Sequence, residues 1–198
     1  YKTNYFTLMP CNLYGPNDNF DSKNSHFIPA LIKKFINVKK NKKKVVEIWG
    51  SGKPKREIMH VDDLASAIFF ILNKKVLKEK KLQNFLSKNC TINVGSGQEF
   101  TIKKFAQIIS KFTSRKTKLK FNKKFPDGTK RKILDNTFLK NMGWKPKIPV
   151  EKGLKNTIEW YIQNLNNKKN WLRLKINLVK QGYFSENLKK KNPKKKNS

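Results

Sequence analysis

The stretch "NYFTLMPCNLYGPNDNF", residues 4–20, limits the fold most. Residues 4–13 read as a strand, Tyr14-Gly15-Pro16 turns the chain, and Asn17, Asp18 and Asn19 follow with side chains that favour turns. A buried strand that opens into a polar loop is where α/β proteins place ligands. The remaining pattern alternates in the same sense. A helix is expected near 26–38, with Phe27, Ala30, Leu31, Phe35 and Val38 along one stripe and Pro29 in its first turn. "VVEIWGSGKPKREIMHV" (45–61) reads as two short strands around a Gly/Pro turn, and Asp62 and Asp63 mark the start of a helix to about Lys74. "CTINVGSG" (90–97) is a buried-type strand ending in a glycine turn, Thr101 caps a helix to about Thr113, and "KTKLKF" (116–121) alternates as a strand. "PDGTKRKILD" (126–135) is a loop with a short apolar entry. The last helix, about 150–164, turns Leu154, Ile158, Tyr161 and Ile162 to its apolar side. Past Asn166 the pattern degrades, although "WLRLKINLV" (171–179) keeps the character of a short strand or helix.

Charge is the outlier in the composition. The 198 residues are 37% hydrophobic and 12% aromatic, enough for one ordinary domain with a core, yet 46 Lys+Arg against 13 Asp+Glu leave a net charge of +33. Such a balance by itself suggests polyanion binding. The excess lies largely in Lys/Asn-rich places such as "VKKNKKK" (38–44) and "LKKKNPKKKNS" (188–198). A nucleic-acid reader more often shows arginine and interleaved aromatics, so these runs read as solvated surface and tail, with no specific nucleic-acid partner. Cys11 and Cys90 make neither a metal spacing nor a disulfide framework, which points to a reducing, cytoplasmic setting and no metal site. No apolar run approaches the roughly 18 residues of a membrane span, and no signal-peptide pattern is visible.

"NLYGPNDNFDSKNSHFIPALIKKF", "IWGSGKPKREIMHVDDLASA", "INVGSG" and "PDGTKRKILD" followed by Gly143-Trp144 occur in an order and spacing that resembles the later half of the GDP-L-fucose synthases. These enzymes belong to the extended short-chain dehydrogenase/reductases. "WGSG" with "REIMHVDDLA" is shared by sugar-nucleotide epimerases and dehydratases generally; "NSHFIPALIKKF" together with "PDGTKRKILD" narrows the resemblance. It covers residue 1 to about 164, while 165–198 is unlike the family and is expected to be a basic Lys/Asn-rich tail. The resemblance implies an α/β fold: the C-terminal part of an NADP-binding Rossmann fold, interleaved with a smaller α/β substrate domain. It further implies NADP(H) as cofactor, a GDP-sugar as substrate, a homodimer when full length, and a cytoplasmic enzyme. The implied reaction converts GDP-4-keto-6-deoxy-D-mannose to GDP-L-fucose by 3,5-epimerisation and 4-reduction. In that family the Gly-rich pyrophosphate turn and a Tyr-x-x-x-Lys pair precede this region. Here no tyrosine has a lysine four residues on, and Gly50-x-Gly52 and Gly95-x-Gly97 are followed by Lys55 and Phe100 where a third glycine would stand. A C-terminal fragment, inactive alone, is therefore expected. The alternatives are another extended-family nucleotide-sugar epimerase or dehydratase, and a basic nucleic-acid-binding module.

The resemblance also assigns residues. His26 falls on the family's acid/base histidine beside the nicotinamide, a role that suits imidazole because it gives or takes a proton near neutral pH. Pro10, Asn12 and Leu13 match the strand end against the cofactor's nicotinamide and ribose. Lys34, Trp49, Arg56 and Asp127 match positions that contact the GDP-sugar: cations for the diphosphate, an indole as a flat wall, a carboxylate for hydroxyl or base N–H groups. Lys34 departs from the arginine more familiar at its position. Cys11 is read as packing. His60, Asp62 and Asp63 are read as a strand-to-helix junction whose carboxylates cap exposed N–H groups.

Overall fold

The computed structural model describes residues 5–21, 24–42, 44–113 and 117–165; residues 171–179 and the basic tail lie outside the described residues. The chain divides into two compact units, Tyr1–Trp160 and Tyr161–Ser198, and the candidate site belongs to the first.

The strand expected over 4–13 is two strands in two sheets. β1 (Thr7–Pro10) runs parallel to β5 (Thr91–Val94), whereas β2 (Asn12–Tyr14) runs parallel to β4 (Lys55–His60). Pro10 has no N–H to extend a ladder. The Cys11 N–H still reaches the Val94 carbonyl at 3.0 Å, and Asn12 then pairs with Ile58. β4 is the common strand of the second sheet: it also pairs antiparallel with β6 (Glu99–Thr101) and parallel with the two-residue β8 (Arg131–Lys132). β3 (Val45–Trp49) and β7 (Lys118–Asn122) form a separate parallel pair.

α1 (Phe27–Lys40) starts where the polar loop ends, with His26 as its N-cap residue. Its buried face is Ile28, Leu31, Ile32, Phe35 and Ile36, one position round from the expected stripe. Phe27 and Ala30 are only half-buried because they face a cleft instead of the core. Phe27 and Phe100 each meet Phe105 edge-on, at 5.6 and 5.7 Å, which ties α1 and β6 to α5 (Ile102–Thr113). The Thr101 hydroxyl accepts from the Lys104 N–H at 3.1 Å and caps α5 as expected. The helices α3 (Lys74–Leu77), α4 (Lys80–Lys88) and α6 (Thr137–Asn141) escape the sequence reading. The first two are short and Lys-rich, and α4 is held by buried Leu82 and by Phe85, which stacks at 3.8 Å on Phe138 of α6. The last helix, α7 (Val150–Asn164), matches its expected span, with Leu154 and Ile158 buried; Ile162, expected on the buried side, is 42% exposed.

α2 (Val61–Leu72) shows what the "HVDD" stretch does. The cap is the His60 imidazole, whose Nδ1 accepts from the Asp62 N–H at 3.2 Å, and not a carboxylate. Asp63 is 3% exposed and its two oxygens accept the N–H groups of Lys147 (2.8 Å) and Ile148 (3.1 Å), fastening the segment ahead of α7. The Ser66 hydroxyl links the Asp63 carbonyl to the Trp144 indole N–H. α2 is apolar nearly all round, with Ala67 and Ile71 in the core and Ile68, Phe69 and Leu72 exposed. Among the described residues, no helix is long and apolar enough to cross a membrane.

Asp63→Ala removes the buried acceptor of two backbone N–H groups, so it is expected to lower unfolding stability by about 2–4 kcal/mol in urea denaturation. Asp63→Asn keeps one acceptor and is expected to cost less. A loss below about 1 kcal/mol for the alanine variant would contradict the assigned role.

Candidate functional site

The start of α1 separates two clefts. Ser25 lines the first, of about 480 Å³, and His26 lines the second, of about 510 Å³.

The first cleft gathers Lys34, Trp49, Arg56 and Asp127 from α1, β3, β4 and the loop after β7, four positions that the resemblance assigns to the GDP-sugar. The Lys34 ammonium lies 4.6 Å from the centre of the Trp49 ring and donates to the Glu47 carbonyl at 3.3 Å. Burial holds its pKa below the usual lysine value. The indole is 60% exposed and stacks on Phe125 at 4.4 Å with the planes 17° apart. Arg56 Nη1 donates to the Lys55 carbonyl at 2.8 Å and the Thr129 carbonyl at 2.6 Å, while Gly128 leaves room beside Nη2, which a Cβ there would approach to 3.1 Å. One terminal nitrogen is thus spent on backbone, and the other faces the cleft wall. Asp127 accepts the Ser51 N–H at 2.7 Å and the Ser51 hydroxyl at 2.5 Å, bonds that hold its carboxyl below the usual aspartate range. Its carboxylate occupies the space where a Cβ of residue 50 would stand, and Gly50 at φ +81° provides that space. Asp127 therefore fastens the loop wall to the turn after β3, whatever else its remaining lone pairs bind.

The second cleft gathers Pro10, Asn12, Leu13 and His26, the positions assigned to the cofactor and to proton transfer. The Asn12 amide donates through Nδ2 to the Glu57 carbonyl at 3.2 Å. The His26 carbonyl accepts the Ala30 N–H at 3.0 Å, whereas its imidazole makes no capping bond and the residue is exposed. Asp18 lines the same cleft, its carboxyl pushed up by burial and drawn back by the Asn19 N–H at 2.6 Å and by the His26 ring. Cys11 packs against the cluster of Met59, Ile92 and Val94, and its thiol is pushed up to about 12, first by burial and then by the charge of Glu57. A thiol so disposed is a packing group and no acid/base. Tyr14 is buried more completely: its ring meets His60 edge-on at 5.4 Å and its hydroxyl donates to the Val150 carbonyl at 3.5 Å.

Several residues escaped the sequence reading. Phe125 extends the Trp49 wall and gave no signal beyond being an aromatic beside a turn. Ser51 sits in a glycine turn that reads as mere connection. Glu57 had a signal: it is the one acid within "KREIMH", and its side chain is fully buried. Among the described residues, no group of three or more His, Cys, Asp or Glu forms a candidate metal cage.

Residues 1–95 match the family described as "NAD dependent epimerase/dehydratase family". Over those residues the chain is similar to that family. It is GDP-L-fucose synthase-like: 44% identical over 161 residues to a putative GDP-L-fucose synthase 2 of Arabidopsis thaliana, covering 81% of this chain and 46% of the relative. To the GDP-L-fucose synthase of Escherichia coli (strain K12) it is 42% identical over 164 residues, 83% of this chain and 50% of the relative. The structure superposes with a TM-score of 0.68, at 32% identity, on a GDP-D-glycero-L-gluco-heptose synthase from Campylobacter jejuni determined in the presence of NADPH, covering 81% of this chain and 54% of that one. The chain spans about half the length of the curated relatives it matches.

The half-buried Cys11 and the exposed Cys90 give an internal test. Iodoacetamide at about pH 8 is expected to alkylate Cys90 on the order of a hundredfold faster than Cys11, as read by mass spectrometry of the peptides, because only the thiolate reacts. Comparable rates would mean that Cys11 is accessible and acidic enough for chemistry.

Proposed function

We propose that this chain carries the nucleotide-sugar site and the nicotinamide-facing strand end of an NADP-dependent epimerase/reductase of the GDP-L-fucose synthase type. The observation that supports this best is the adjacency of the two clefts across Ser25 and His26. In this reading Arg56 and Lys34 meet the diphosphate, and the Trp49–Phe125 stack offers its edge and exposed surface to the guanine. Lys34 then leaves its resting place over the indole for the phosphate, a short swing for a flexible stem. The hexose extends past Ser25 toward His26. A 4-ketone acidifies the hydrogens on C3 and C5; a base removes each as a proton, the electrons pass to the ketone oxygen as an enol forms, and a proton returns on the opposite face. His26 is placed to give or take one of those protons.

The second cleft fits one end of NADP(H). The Pro10–Leu13 strand end supplies a flat, largely apolar wall and Asn12 supplies a polar handle, which together suit a nicotinamide ring. When bound, that group supplies the hydride for the C4 ketone. The sequence has no Gly-x-Gly-x-x-Gly turn to seat its pyrophosphate and no Tyr-x-x-x-Lys as proton donor to the reduced ketone. Both functions must come from residues other than these, so the chain alone is expected neither to turn over the keto sugar nor to bind NADPH tightly.

GDP titration of the chain tests the reading. Of the four tryptophans, Trp49 is 60% exposed and, among the described ones, it alone lines the first cleft, so GDP is expected to quench tryptophan fluorescence, and Trp49→Phe to remove most of the response. Arg56→Ala is expected to weaken GDP about tenfold or more. Equal affinity for UDP would favour a sibling nucleotide-sugar enzyme, and binding of neither would overturn the assignment. RNA binding is expected to be weak and to fall steeply with salt; sequence-selective binding at physiological salt would favour a nucleic-acid module.

A further inference from the structure

We propose that Glu57 is a positioning residue for both clefts: its carboxylate anchors the segment that walls the first, and by fixing β4 at this point it holds the backbone carbonyl that orients the Asn12 side chain, so that Oδ1 is presented to the second cleft. The inference rests on the reading above only for what occupies the clefts. Glu57 has no exposed surface. Its Oε1 accepts the Gly97 N–H at 2.7 Å, its Oε2 accepts the Leu134 N–H at 2.8 Å, and its backbone carbonyl takes the Asn12 Nδ2 at 3.2 Å. A carbonyl oxygen can only accept, so the Asn12 atom facing it must be the NH₂. Asn12 therefore turns an acceptor to the cleft, and its ligand there is a donor such as a primary carboxamide or a hydroxyl.

The first cleft is reached through the chain after β7. That segment is stapled at Asp127 by Ser51, at Thr129 by Arg56, and at Leu134 by Glu57. The first two staples are exposed, where solvent competes; the third is partly buried and made to a carboxyl group with no exposed surface, so it sets the position that the others fine-tune. The same carboxylate excludes any side chain at position 95, because a Cβ on Gly95 would lie 2.5 Å from Oε1. Its charge reaches the second cleft as well, being the second cause of the raised Cys11 thiol. A carboxylate is required for the pair of bonds. Two N–H donors converge on two oxygens, and a glutamine would set its own NH₂ against one of them.

Glu57→Gln in the 198-residue chain is the test, read by ¹H–¹⁵N spectra of the Asn12 amide and the Arg56 guanidinium and by GDP affinity. Both side-chain resonances are expected to move in the ligand-free variant, and GDP affinity to fall about tenfold. Ile158→Ala, which costs stability at the buried face of α7, outside the core cluster that packs on Cys11 and Leu13, is expected to leave all three unchanged. Wild-type resonances in Glu57→Gln, or the same changes in Ile158→Ala, would overturn the proposal. Should the glutamine variant not fold, solvent exchange in the wild-type chain decides: the Asn12 NH₂, Gly97 and Leu134 protons are expected to be protected, and exchange as fast as that of the exposed Asn84 amide would overturn it. Failure of GDP to bind the wild type contradicts the nucleotide reading, while the resonance and exchange results still decide Glu57.

Discussion

Glu57 sits without exposed surface on β4, the strand to which β2, β6 and β8 all bond, and a carboxyl group placed there must find its donors inside the protein. It finds them in two loops, at Gly97 and Leu134, and this pair of bonds decides where the irregular parts of the chain lie. The strands on their own are short. β8 is two residues and β2 three, too little ladder to fix a register by itself. A buried acid answered by backbone N–H groups supplies the missing specification. Asp63 does the same in the first turn of α2, just past β4, where it gathers Lys147 and Ile148.

From that frame follow the two clefts. Strand switching at Cys11 carries the chain from β5 to β4 and leaves Asn12 and Leu13 at the mouth of one cleft; the loop after Tyr14 then delivers Ser25 and His26 to the start of α1. One residue of sequence separates the two clefts, and the proposed chemistry depends on that step: a hexose held by its nucleotide on one side meets an imidazole on the other.

The elements were legible where a local pattern suffices. β3, β4, α5 and α7 are periodic segments bounded by glycine, proline or a capping threonine, and they lie close to where the sequence puts them. The split of the first strand was not legible, because a proline in an apolar run reads as continuous until its partners are known. α3 and α4 were missed because their surfaces are lysine-rich and a single buried leucine with one aromatic stack holds α4 in place. The site residues came from resemblance, and the structure brings each group of them into one cleft. What each does locally was a different matter. Asp127 and Arg56 spend much of their bonding on the loop itself, and the cap expected from aspartates is made by His60, since tertiary placement of a side chain leaves no trace in spacing.

A crystal structure of this chain with GDP-mannose, a stand-in for the keto sugar, tests the central claim most directly. The account predicts diphosphate oxygens within hydrogen-bond distance of Arg56 and Lys34, the guanine beside Trp49 and Phe125, and the hexose directed across Ser25 toward His26. A nucleotide seated in the cleft of Pro10 to Leu13, or a hexose pointing away from His26 into solvent, would contradict it.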